Sequence, residues 1–231
     1  QRTASKSLKS VARGSKMPID KEANILRHFV YWKNNSCRVD VDLSVVAYNE
    51  DFDMLTNVYY CHLKDNQYGL VHSGDFVSSY GEGATEYIDI DINKAKLRRV
   101  RYLVVVINSF TNDFFSDMED CFMGFMYRED AQSGEVFDAR TVVNKTDITA
   151  ESTQVVSTII DLEEMAIYWA DLPLTSSTGL NNINSNQSGI GHTLKSILNI
   201  CKPNLYDLIE MNALARGELV FSREEADVVF A

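Results

Sequence analysis

The sequence predicts a mainly β protein, a two-sheet antiparallel β-sandwich with a short helical C-terminal extension. Three observations predict it. Short runs of alternating apolar and polar residues recur from Leu26 to Leu172, with polar turns between them, at the spacing of a sandwich or barrel. The chain is 45% hydrophobic and 24% charged over 231 residues, an ordinary globular composition. After Thr175 the pattern changes in kind: Ser, Asn and Gly dominate, and helical spacing then takes over.

Residues 1–24 read as a basic arm or linker. Arg2, Lys6, Lys9, Arg13 and Lys16 place five positive charges and no acid in the first sixteen positions, against a net charge of −11 for the whole chain. The composition leaves three readings open: a solvated linker, a contact for an anionic surface, or a transit segment. Because the chain opens on Gln with no Met before Met17, we expect a piece of a longer polypeptide.

Residues 25–174 form the expected sandwich. Candidate strands are Leu26–Trp32, Val39–Tyr48, Asn57–Leu63, Glu86–Ile92, Arg101–Asn108, Cys121–Tyr127, Val155–Ile160 and Met165–Ala170. Val39, Val41, Leu43, Val45 and Ala47 share one face of their strand, as do Ile88, Ile90 and Ile92. That alternation is what a strand with one buried side requires. The stretch from Ile160 to Met165 reads as a hairpin loop joining two antiparallel strands. Most of the aromatic residues in these runs, Phe29, Tyr31, Trp32, Tyr59, Tyr60, Phe122, Phe125, Tyr127, Tyr168 and Trp169, are assigned to core packing.

Residues 175–192 read as a polar linker and 193–231 as the helical extension. Leu194, Ile197 and Leu198 share one helical face, and Leu205, Leu208, Ile209 and Ala213 share another after Pro203. Gly217 is placed to end that second helix. Ser222-Arg223-Glu224-Glu225 matches a capping box.

Composition also excludes function classes. The longest apolar run, Tyr102 to Ile107, is too short to span a bilayer, and a cytoplasmic protein is expected. An acidic body disfavours a nucleic-acid backbone, and the aromatic residues lack the basic neighbours of a base-stacking platform. Cys37, Cys61, Cys121 and Cys201 are far apart in sequence and read as free buried thiols in a reducing compartment. Neither they nor the four histidines offer zinc spacing.

The informative chemistry is acidic. Asp40 and Asp42 project from one side of a predicted strand, and Asp89 and Asp91 from one side of another, although Asp is depleted in strands. Either these are wet faces, with Arg38, Arg98 or Arg99 opposite, or they contribute to a cation site. Between the two strands lie His72-Ser73-Gly74-Asp75, then Gly81-Glu82-Gly83 and Glu86. A glycine-rich acidic loop of this kind can wrap carbonyls and carboxylates round a hard cation.

Taken together, Asp40-Val41-Asp42-Leu43-Ser44, His72-Ser73-Gly74-Asp75, Gly81-Glu82-Gly83, Glu86, Ile88-Asp89-Ile90-Asp91-Ile92 and Val104-Val105-Val106-Ile107-Asn108-Ser109 resemble the TerD family over roughly Leu26 to Leu172. The resemblance implies a sandwich of two sheets, calcium sites built from acidic loops, and a role in tellurite resistance, general chemical stress or phage inhibition. It implies no catalytic residues. The metal ligands it points to are Asp40, Asp42, Asp75, Glu82 and Glu86. This chain departs from the family loop at Phe76, where Asn is usual, at Ser79 for the first glycine, and at Ala84-Thr85 for an Asp-Asp pair. Fewer oxygen donors favour one weakened Ca2+ site over two.

Enzyme readings fare worse. His72, Ser73 and Asp75 are the residue types of a hydrolase triad, but no Gly-x-Ser-x-Gly elbow occurs, and dinucleotide and P-loop fingerprints are absent. Asp40 with Asp89 is the carboxylate pair that acid–base work on a sugar would use. The expectation is therefore a non-catalytic binding module whose partners are other proteins, either stress-response components or further copies of itself. A structural or assembly protein that associates through the sandwich and the C-terminal helices is the alternative.

Overall fold

The structure, a computed structural model, describes residues 13–33, 37–78, 83–136, 140–174, 187–198, 205–217, 220 and 222–226. The chain divides into two units, Gln1–Ile197 and Leu198–Ala231.

The first unit is a sandwich of two six-stranded antiparallel sheets. Its strands are β1 (Lys16–Pro18), β2 (Ile25–Lys33), β3 (Val41–Tyr48), β4 (Met54–Val58), β5 (Lys64–Asp65), β6 (Leu70–His72), β7 (Ala84–Asp91), β8 (Tyr102–Ser109), β9 (Asp120–Arg128), β10 (Val142–Asp147), β11 (Gln154–Asp161) and β12 (Ala166–Pro173). One sheet runs β1-β12-β11-β8-β3-β4 and the other β10-β9-β2-β7-β6-β5. A short helix, α1 (Ile92–Leu97), follows β7, and α2 spans Gln187–Leu198.

The predicted alternation sets the interior. Val39, Val41, Leu43, Val45 and Ala47 enter one continuous core with Ile88, Ile90, Ile92, Leu103, Val105 and Ile107. Trp32 is fully buried there and donates its indole N–H to the Val39 carbonyl at 3.0 Å, the partner that a buried indole needs. The Ile160–Met165 hairpin forms as expected, with Asp161 accepting the Glu163 and Glu164 N–H groups at 2.9 and 3.0 Å.

Both sheets are also covered outside. On the first, Ser44, Val46 and Tyr48 are buried although they point away from the core strip. Helix α2 supplies part of the cover: Ile190, Leu194 and Ile197 are buried, Gly191 comes up to the Tyr48 hydroxyl, and the Lys195 ammonium lies 5.4 Å from the Phe52 ring centroid. On the second sheet, Phe29, Tyr87, Phe122 and Met126 form a separate buried cluster. Gly124 is required there, because a Cβ would fall 2.2 Å from the Asn144 carbonyl oxygen and 2.8 Å from the Phe29 ring.

Several elements differ from the sequence reading. Lys16–Pro18 pairs with β12, so part of the basic stretch is an edge strand. Helix α2 begins at Gln187, inside the stretch read as a polar linker. The predicted strand Glu86–Ile92 stops at Asp91, whose carboxylate turns back to accept the Lys94 N–H at 2.9 Å and caps α1; a helix N-cap is a favoured place for Asp. Tyr59 and Tyr60 lie beyond the end of β4: Tyr59 forms an isolated bridge with His62 and Tyr60 sits in the turn between them. Cys121 is buried, but Cys37 and Cys61 are exposed, which corrects the expectation of buried thiols; Cys201 lies outside the described residues.

In the second unit, α3 (Leu205–Arg216) ends where the Gly217 N–H reaches the Ala213 carbonyl at 2.8 Å. Ser222 makes no side-chain cap bond, and its hydroxyl meets Glu224 at 2.8 Å instead. The capping box is therefore not formed.

Candidate functional site

Three loops meet at one end of the sandwich: residues 37–40 leading into β3, 73–78 after β6, and 110–114 after β8. Two hydrogen bonds tie them together. The Phe110 N–H donates to the Asp40 carbonyl at 2.9 Å, and Arg38 donates from Nε to the Val77 carbonyl at 2.7 Å.

This meeting point brings Asp40, Asp42 and Asp75 together, with one carboxylate oxygen of each lying within 4.8 Å of the others. Asp40 and Asp42 are buried and Asp75 is exposed. Asp40 Oδ2 receives Arg38 at 3.2 Å, whereas Asp40 Oδ1 is buried with no hydrogen-bond partner among the described residues. Asp42 Oδ2 receives a long contact from the Asn108 amide at 3.4 Å.

The electrostatics follow from that crowding. Burial, then the charges of Glu86 and Asp40, push the Asp42 carboxyl up to about 7, and the Asn108 contact offsets little of it. Burial and the neighbouring Asp75 raise Asp40 as well, against the pull of Arg38. Like charges held this close disfavour simultaneous ionisation. A proton or a cation relieves them.

Glu86 stands apart from the trio. It is fully buried, and its two oxygens accept the Leu43 N–H at 2.8 Å and the Phe76 N–H at 3.0 Å, so it clamps the 73–78 loop to β3. His72 completes the clamp: its Nε2 meets the Leu43 carbonyl at 2.9 Å and lies 3.4 Å from Glu86, while the Gly74 N–H donates to Nδ1 at 3.1 Å. That pattern fixes the proton of the neutral ring on Nε2. Burial opposes a charge on His72, but Glu86, the Leu43 carbonyl and Asp42 together outweigh it and move the pKa upward; a second proton on Nδ1 would displace Gly74. Glu82, the remaining predicted ligand, lies outside the described residues.

The departures from the acidic loop pattern have structural consequences. Ala84 and Thr85 sit in β7 opposite Trp32 and Tyr31, and Ala84 packs on the core. The Phe76 side chain is exposed. None of the three adds a side-chain carboxylate to the trio.

The fold is matched by a solved structure, and part of the sequence by a known protein. No family model matches the chain. Over 84 residues the chain is 27% identical to the tellurium resistance protein TerZ of Serratia marcescens, a match covering 36% of this chain and 43% of that relative. The matched stretch is less than half of the relative's length. The crystal structure of a homologue of the telluride resistance protein TerD from Streptomyces coelicolor A3(2) superposes with a TM-score of 0.53 at 10% identity, covering 67% of this chain and 92% of that one. The fold is TerD-like. The solved structure carries the fold alone, and the sequence match carries the likeness to a tellurium resistance protein.

Other acids of this TerD-like sandwich are already committed. Asp89 is fully buried on the outer face of the second sheet, where Arg27 grips it with two bonds at 2.6 and 2.8 Å. The Arg27 guanidinium also lies 3.8 Å from the Tyr87 ring centroid and donates to the Glu135 carbonyl at 3.0 Å, while the Gln132 N–H donates to Asp89 at 2.6 Å. The pair thus pins the 129–136 loop over the sheet. Arg27 was not among the basic partners read from sequence, because only the β2–β7 register reveals it as the residue opposite Asp89. As for a triad, the Ser73 hydroxyl accepts the Tyr87 N–H at 3.0 Å, and both His72 nitrogens are spent on backbone groups, so Ser73 and His72 form no relay.

Proposed function

We propose that this chain is a non-catalytic TerD-like binding module of a tellurite or general chemical stress response, and that it binds one calcium ion through Asp40, Asp42 and Asp75. The observation that carries the metal reading is the orphaned, buried Asp40 Oδ1, set among two further carboxylates. A buried charged oxygen without a partner is costly, and a hard cation that prefers carboxylate oxygen meets that need. Bound calcium would offset most of the charge of the trio and fix the three loops. Asp42 and Asp40 would supply the buried donors and Asp75 the solvent-side one.

The stress-response reading is supported by the likeness to TerZ. A non-catalytic role agrees with the commitments of His72, Ser73 and Asp89 to structural bonds. Thermal melting of the chelator-treated protein tests the metal reading. Calcium at a hundredfold excess over Kd should add about 2.7 kcal/mol by mass action, and an Asp40→Asn, Asp75→Asn variant should gain nothing. An unchanged melting temperature for the parent chain would overturn it.

A second reading, self-association, has its own observation: α3 exposes Leu208, Met211 and Leu214, spaced three apart on one face of the helix. Light scattering on the full chain and on one ending before Thr175 tests it. A mass that stays monomeric in both would refute it.

A further inference from the structure

We propose that the arm of this chain preceding Arg13, residues 1–12, folds back across the loop end of the sandwich and sets Arg2 and Lys6 against Asp75 and Asp40, so that the chain carries its own counter-charge for the acidic trio. The docking rests on reach and charge; its consequence for calcium, competition for the same carboxylates, rests on the cation reading above.

Reach is the first argument. β1 runs antiparallel to β12, and Asp171 holds Arg13 at 3.3 Å, so the residues before Arg13 leave toward the Pro173 end of β12. The same end of the sheet bears the acidic site. The Leu174 N–H donates to the Gln154 carbonyl, Gln154 pairs with Asn108, and Asn108 pairs with Asp42, which sets these four residues in one row across the sheet. β1 and β3 are four strand spacings apart in the order β1-β12-β11-β8-β3, roughly 19 Å. Six extended residues span about 20 Å, so the stretch from Val11 back to Lys6 covers the distance and Arg2 reaches beyond it.

Charge is the second argument. Arg2, Lys6 and Lys9 are the charged residues among the first twelve. The segments at the loop end, 37–42, 73–78, 109–117 and 149–153, carry Asp40, Asp42, Asp75, Asp113, Asp117 and Glu151 against the single base Arg38. The Ser109 and Ser116 N–H groups donate to the Thr153 and Ala150 carbonyls at 2.7 and 3.2 Å, so the acids of these two segments stand on the way from β1 to β3. Arg38 answers one oxygen of Asp40 and leaves Oδ1 buried without a partner among the described residues; a buried carboxylate in that state favours a cation brought to it. Phe110 and Phe114, 57 and 47% exposed, flank the route and offer apolar surface to the lysine stems and to Leu8. Because arm and site belong to one chain, the encounter is intramolecular and weak exposed ion pairs suffice.

The test is zero-length carbodiimide cross-linking of the full chain in chelator, with the linked peptides read by mass spectrometry from an equal mixture of isotope-labelled and unlabelled protein. The expected product joins Lys6 to Asp75 or Asp40 within one copy. Its yield should fall several-fold as salt rises to ~0.5 M, where the screening length is only about 4 Å. Arm lysines that reach neither Asp75 nor Asp40 would overturn the proposal. Links formed only between copies would overturn it too, by showing that the arm of a second chain occupies this surface. In calorimetry at low salt, an Arg2→Gln, Lys6→Gln, Lys9→Gln variant should bind calcium roughly threefold or more tightly than the parent; equal affinities would overturn the competition. Absence of calcium binding to either protein would remove the metal reading alone, because the cross-link is read without calcium.

Discussion

Arg38 holds one oxygen of Asp40 at 3.2 Å and leaves the other buried without a partner among the described residues. The carboxylate is thus half-neutralised by a side chain that reaches in from solvent. The same guanidinium ties the 37–40 loop to Val77, so it substitutes locally for part of what a bound cation would do.

Arg38 therefore competes with calcium. Arg38→Gln removes the competing charge, and because Arg38 is half-exposed the interaction is worth only ~0.5–1 kcal/mol. Calcium affinity should rise roughly two- to fivefold, as read by calorimetry. An affinity that falls would mean that Arg38 supports the site.

Asp42 gives the metal-free protein a pH dependence of definite sign. The folded chain keeps its Asp42 proton up to about pH 7, whereas an ordinary carboxyl releases it near 3.8. This contribution to stability is complete below the unfolded value and is lost as pH rises through the folded one. In chelator, the stability difference between wild type and Asp42→Asn should shift against wild type by a few kcal/mol between pH 5 and pH 8. Urea melts at the two pH values check it, and parallel pH profiles for the two proteins would contradict it.

His28 acts with the opposite sign. It is buried between the sheets with Nε2 3.1 Å from Thr158 Oγ1 and with Nδ1 unpartnered among the described residues, and burial lowers its pKa from 6.5 to about 3. Its contribution is present above the unfolded value and fades as pH falls toward 3. His28→Gln should be less acid-sensitive than wild type between pH 6.5 and pH 4, as measured by melting temperature. Equal acid sensitivity would show that His28 does not control this range.

The Arg27–Asp89 pair should be the most damaging to break. Each partner is completely buried, so Arg27→Leu leaves an uncompensated carboxylate and should cost about 3–5 kcal/mol. Hydrogen exchange at the Gln132 amide, which donates to Asp89, should accelerate at the same time. Replacing both partners with apolar residues should recover part of the stability.

The sandwich was legible because its core strands alternate cleanly: every second residue from Val39 to Ala47 enters the same core. Strands of two or three residues, such as Lys64–Asp65 and Lys16–Pro18, are too short to carry a period and emerge only from pairing. The acidic pairs were visible, but their fates were not. Asp40 and Asp42 converge with Asp75, Asp89 meets an arginine 62 positions away, and Asp91 caps a helix. Glu86 reads as a ligand in sequence, yet two backbone N–H groups on separate segments claim it. Such differences depend on which strands become neighbours, and local sequence does not encode that.

The central claim is that Asp40, Asp42 and Asp75 hold a single cation. Calorimetric titration of the chelator-treated chain with calcium, at pH 8 where Asp42 is ionised, tests it most directly. The account predicts one site per chain, abolished by Asp40→Asn, with affinity falling as pH drops through 7 and protons compete. No heat at millimolar calcium, or an affinity indifferent to Asp40→Asn, would contradict it.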